Sequence, residues 1–163
     1  MQETSEKIHS GIVELFQGEV LGEAFFDKLL SYFADPQQQY KIASLLQLET
    51  ETKARLRGTM FSLGLDLRED YEWREKALSL AGSFEGKSWN YFIKSLNEIL
   101  HPFVARYKEL ADEAPADYAE IYQSMVIHEE SLLAFSELEL AGDTEHSLDS
   151  VIAQLRFPLP KPA

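Results

Sequence analysis

The sequence predicts an all-α fold: a bundle of four long helices followed by one short helix. Three observations carry this reading. Apolar residues recur at alternating spacings of three and four, the signature of a bundle seam. Glycine and proline fall mainly at the edges of these periodic segments. No stretch alternates apolar and polar residues between turns as a half-buried strand would. The chain has 163 residues, 45% of them apolar and 26% charged, which suits one folded domain with a real core.

The first helix is read from about Ser5 to Ala34, with a seam of Ile12, Phe16, Glu19, Glu23, Phe26, Leu30 and Phe33. Asp35-Pro36 opens the second, because an aspartate caps a helix and proline fits its first position. It runs to about Leu63, where Gly64 can stop it in the left-handed conformation. Its seam is Ile42, Leu45, Glu49, Thr52, Leu56, Thr59 and Leu63. Ser88 caps a third helix ending near Leu110, with Trp89, Phe92, Leu96, Ile99, Phe103, Tyr107 and Leu110 on its seam. Pro102 inside that helix is expected to kink it. The fourth runs from near Pro115 to Gly142 along Tyr118, Ile121, Met125, His128, Leu132, Phe135 and Glu139. A short helix follows Thr144. Residues 1–157 are expected to form one domain, and the Pro-rich tail 158–163 to lie extended.

Connection lengths set the topology. Tight turns join helices one and two, and helices three and four, so each pair is an antiparallel hairpin. Leu65 to Lys87 is too long for a turn; its middle, Arg68 to Leu80, is weakly amphipathic and suits a short helix. Such a crossover can travel the length of the bundle, and a plain up-down bundle is the competing topology.

Charge and composition narrow the function. The net charge of −13, without a basic patch, disfavours a nucleic-acid partner. The absence of cysteine excludes disulfides, Cys-ligated zinc, iron–sulfur clusters and Cys nucleophiles. No apolar run is long enough for a membrane span, and the charged start reads as no secretory signal, so the expected location is the cytoplasm. Phosphate loops, nucleophile elbows, zinc-protease and EF-hand motifs do not occur.

The informative residues are those that interrupt the apolar seams. A carboxylate in a bundle interior is costly unless it is paired, hydrogen-bonded or metal-bound. Glu19, Glu23, Glu49 and His128 all sit on seam positions, and Glu129 flanks the fourth seam. Measured down from the Asp35 turn at ~1.5 Å per residue, Glu23 lies roughly 18 Å below, Glu49 about 21 Å and Glu19 about 24 Å. His128, measured from Gly142, falls at roughly 21 Å as well. Three helices thus place oxygen and nitrogen ligands in one layer.

The stretches 18–24 (GEVLGEA), 47–52 (QLETET) and 127–130 (IHEE) resemble the ferritin-like superfamily of rubrerythrins, bacterioferritins and di-iron carboxylate oxidases. In that family a Glu on each of two helices and a Glu-x-x-His on each of the other two hold a metal pair. Here Glu23 or Glu19 matches the single Glu, Glu49 the Glu of one Glu-x-x-His, and His128 the His of the other. Thr52 and Met125 stand where the remaining ligands would be. The literal Glu98-Ile99-Leu100-His101 turns away from the seam and is held in reserve.

Two readings of the layer stay open. Glu23, Glu49 and His128, with Glu19 and Glu129 beside them, hold Fe, Mn or Zn, since carboxylates and imidazole suit these ions; an enzyme built on them would be a metal-dependent oxidoreductase. Alternatively the glutamates and His128 hydrogen-bond one another in a metal-free binding or interaction module. The aromatic-rich bundle surface also suits self-association, with a homodimer the simplest form.

Overall fold

The protein is described from a computed structural model covering residues 2–162, with side chains from residue 6 onward. Six helices make up the fold: α1 (Gln2–Leu29), α2 (Pro36–Ser62), α3 (Tyr71–Gly82), α4 (Trp89–Asp112), α5 (Ala119–Ala141) and the short α6 (Asp149–Ile152), with a 3₁₀ turn at Ala116–Tyr118 before α5.

Local chemistry sets most boundaries. The Asp35 carboxylate accepts from the backbone N–H groups of Gln37 and Gln38, both at 3.0 Å, and Pro36 occupies the first helical position. Ser88 accepts from the N–H of Tyr91 at 3.2 Å. Gly142 closes α5 with φ 84°, the left-handed conformation that glycine adopts at least cost. Two of the boundaries differ from the sequence reading as follows. α1 ends at Leu29, five residues before Ala34, and passes through a turn into the Asp35 cap. Pro115 lies outside the helix and precedes the 3₁₀ turn. α4 is continuous through Pro102, which is exposed.

Side-chain contacts fix the helix directions. Phe33 meets Trp89, Phe25 meets Phe92, and Gly18 faces Tyr107, so α1 and α4 run antiparallel. Lys41 pairs with Glu139, Thr52 with His128, and Arg55 with Ser124, so α2 and α5 also run antiparallel. Between them, α3 packs along α1. Its approach is held by Gln17, whose amide donates to the Arg68 carbonyl and accepts from the Asp70 N–H. Lys53, buried on α2, binds Glu69 of the same segment at 2.5 Å. At the far end of α3, Phe84 packs on Phe25 and Phe92.

The core is divided. One apolar cluster gathers Phe25, Phe26, Leu29, Ile42, Leu45, Leu48, Phe92, Leu96, Leu132 and Phe135 near the α1–α2 turn. A second gathers Ile12, Phe16, Val20, Leu56, Met60, Tyr107, Tyr122 and Met125 toward the other end. On α2 the gap between the clusters is Glu49, Thr52 and Lys53; on α5 it is His128 and Glu129.

Glu139, the last residue of the fourth seam, faces inward. Its side chain is buried, paired with Lys41, and accepts from Trp89 Nε1 at 2.9 Å and Ser147 Oγ at 2.6 Å. None of the helices among the described residues is long and apolar enough to cross a membrane.

Candidate metal centre

The polar layer between the two apolar clusters draws on four helices. α1 supplies Glu19, α2 supplies Glu49 and Thr52, α4 supplies Tyr107, and α5 supplies His128 and Glu129; all are buried. Glu19 and His128 are 0% exposed, so neither reaches bulk water.

His128 is the centre of the geometry. Its Nε2 lies 3.3 Å from Glu19 Oε2 and 3.6 Å from Glu49 Oε2. On the other side of the ring, Nδ1 is 3.1 Å from Thr52 Oγ1. With the proton on Nδ1 the ring donates to Thr52 and turns the Nε2 lone pair toward the carboxylates, the tautomer a metal ion requires. With the proton on Nε2, Thr52 donates to Nδ1 and the ring offers its N–H to the glutamates. Thr52, which stands at the histidine position of the Glu-x-x-His pattern, is therefore a partner of the one histidine that is present.

Glu19, His128 and Glu129 each bring one ligand atom into a group whose members lie within 4.8 Å of one another. Both carboxylate oxygens of Glu19, Nε2 of His128, Oε2 of Glu129 and the Tyr107 hydroxyl have no hydrogen-bond partner among the described residues. Buried polar atoms left this way cost of order 1–3 kcal/mol each. Burial pushes the Glu19 carboxyl well above the usual carboxylate range, and the adjacent Glu49 carboxylate adds to the effect. Glu129 moves the same way, by burial and then by Glu49. Tyr107 is raised by burial and by Glu129, Glu19 and Glu49 in turn. The layer thus disfavours negative charge and favours a proton or a cation. Three carboxylates and one imidazole form a donor set suited to Fe, Mn or Zn.

Of the carboxylates read from the sequence, Glu23 is placed apart. It accepts from Lys53 Nζ at 2.7 Å and from Thr50 Oγ1 at 2.9 Å. Glu19 and Glu23 lie one turn apart on α1, and Lys53 lies one turn beyond Glu49 on α2. The lysine satisfies Glu23 at the flank, and Glu19 is the one buried at the histidine. Glu98 and His101 are both exposed. Tyr122, on α5 about one and a half turns before His128, donates to the Ile8 carbonyl at 3.1 Å.

Two contributors escaped sequence reading. Tyr107 passes as an apolar seam residue, although its hydroxyl faces the carboxylates. The glycines of α1 are the other. A Cβ on Gly18 would collide with the Tyr107 hydroxyl, and one on Gly22 with the Glu49 carboxylate. Gly58, inside α2, faces open space. Gly22→Ala is therefore expected to cost about 1–3 kcal/mol by displacing the Glu49 carboxylate. Gly58→Ala is expected to add about 0.5–1 kcal/mol by the ordinary helix preference. Urea unfolding of the two variants checks this, and equal stabilisation by both would refute the packing of Glu49 against Gly22.

Comparison with known proteins gives no match: no family model, no curated protein and no solved structure is similar to this chain. What the chain shows by itself is an all-helical bundle with a buried Glu/His cluster able to hold a metal ion.

Proposed function

We propose that the protein is a ferritin-like metalloprotein whose bundle core binds Fe, Mn or Zn. Glu19, His128 and Glu129 are the ligands, with Glu49 completing the shell from α2 and Thr52 orienting the imidazole. The observation that carries this reading is the set of partnerless buried polar atoms on three of these residues. A cation satisfies them together, whereas protons on His128 Nε2 and Glu19 would satisfy them pairwise, with Glu49 as the other acceptor. The hairpin pairs and the crossover helix along α1 support the ferritin-like arrangement. If the centre is catalytic, its chemistry is metal-dependent oxidation or reduction.

Protein expressed with added iron and manganese is expected to carry about one ion per chain, lost in both Glu19→Ala and His128→Ala. Bound metal is expected to stabilise the fold by about 2.7 kcal/mol at one hundred times the dissociation constant. Elemental analysis and thermal melts of the three proteins measure both. A metal-free wild type whose melting temperature ignores added metal would refute the proposal. One observation favours a metal-free binding or interaction module instead: Thr52 and Met125 occupy the positions of two family ligands. In that case Glu19 and Glu129 hold protons, and the layer is structural.

A further inference from the structure

A second feature lies beside Thr52, and its reading does not require a metal in the core. α2, α5 and the C-terminal segment enclose a groove of about 680 Å³, lined in part by Leu48, Arg55, Ser124, Ile127, Arg156 and Phe157. The chain has six arginines. Four are ion-paired: Arg57 and Arg74 with Glu69, Arg68 with Asp66, and Arg106 with Glu14. Arg55 and Arg156 form no ion pair among the described residues, and both line this groove. In a chain of net charge −13, two arginines outside ion-pair distance of any described carboxylate, with Glu51 the one acidic residue on the groove's lining, are a distinct electrostatic feature.

The groove holds both arginines in place. Arg55 Nη1 donates to Ser124 Oγ at 2.5 Å and Nη2 to Met125 Sδ at 3.8 Å, and no described carboxylate lies within ion-pair distance of it. Arg156 lies over the ring of Phe157. The Glu51 carboxylate accepts from the backbone N–H groups of Arg156 and Phe157, at 2.6 and 2.9 Å. It thus fixes the segment that carries Arg156, and both its oxygens are committed to that backbone. Phe157 is 65% exposed and Ile127 49%, so the same groove presents apolar surface to solvent. Guanidinium groups select planar carboxylates through paired hydrogen bonds, and an aromatic ring supplies a stacking face.

We infer that this groove binds a small organic carboxylate with an aromatic body, the carboxylate at Arg55 and Arg156 and the ring against Phe157 and Ile127. The test is calorimetric titration of the full chain with naphthalene-2-carboxylate, with naphthalene-2-carboxamide and inorganic phosphate run alongside. The carboxylate is expected to bind at least tenfold more tightly than either control. Arg55→Gln and Arg156→Gln are each expected to weaken it at least tenfold. Arg156 is exposed and holds Glu51 through its backbone N–H, which Arg156→Gln retains, so its variant decides the matter even if Arg55→Gln is unstable. Equal binding of carboxylate and carboxamide, phosphate binding as tightly, binding untouched by Arg156→Gln, or no binding of the carboxylate would each overturn the inference.

Discussion

The metal-free protein is expected to become less stable as pH rises from about 5 to 8, opposite to the trend in proteins whose carboxylates are all paired. Glu19 and Glu129 have carboxyl groups raised by burial well above the ordinary 4.5. Above that ordinary value the unfolded chain releases these protons while the folded chain retains them. The folded state then binds more protons, and stability falls with pH until the folded-state groups also ionise. Each such group contributes a slope of at most about 1.4 kcal/mol per pH unit within its window. Groups of the opposite kind, such as Glu69 held low mainly by Lys53, contribute stability above their unfolded values and lose it in acid. The profile should therefore peak near pH 5. Glu19→Gln removes one of the two raised carboxyls, so its stability should exceed that of the wild type at pH 8 and change less with pH. Urea midpoints at half-unit intervals would show this. A wild-type midpoint that rises between pH 6 and 8 would mean the buried carboxyls are paired in a way the geometry does not show. Saturating metal should abolish the slope, because the cation replaces the protons.

Phe92→Ala is expected to cost about 3–5 kcal/mol, the range for removing a fully buried aromatic ring. Phe92 is completely buried and touches four other rings: Phe33, Phe84 and Trp89 at 5.4 Å between centroids, and Phe25 at 6.5 Å. These belong to α1, the α1–α2 turn, α4 and the segment that leaves α3, so one truncation loosens four parts of the fold at once. Its neighbour Tyr91 is about half exposed, and Tyr91→Ala should cost far less. Denaturant unfolding of both variants provides the comparison. A loss below 1 kcal/mol for Phe92→Ala would mean that the surrounding rings collapse into the space.

Much of the helical layout was legible because its punctuation is local. Asp35-Pro36, Ser88 and Gly142 each satisfy or terminate a helix through their own backbone geometry. The end of α1 was not legible, because Leu30 and Phe33 keep the helical apolar spacing after the chain has left the helix. On the site, the seam positions and the shared height pointed to a polar layer but could not choose between Glu19 and Glu23. That choice depends on Lys53, which reads in sequence as a surface charge and is buried in the fold. Glu129, placed about 100° off its seam by helical geometry, is nevertheless buried because α5 is covered on more than one side. The glycines of α1 carried a signal that periodicity ignores: each marks where a polar group from another helix needs room.

The divided core has a mechanical meaning. Each long helix of the bundle crosses from one apolar cluster to the other, and the ionisable layer lies at the crossing. Opening one half exposes the layer to water and relieves the cost of its buried charges, so the layer sets how strongly the two halves are coupled. Whatever neutralises those carboxylates, proton or ion, works as a rivet through the waist of the bundle.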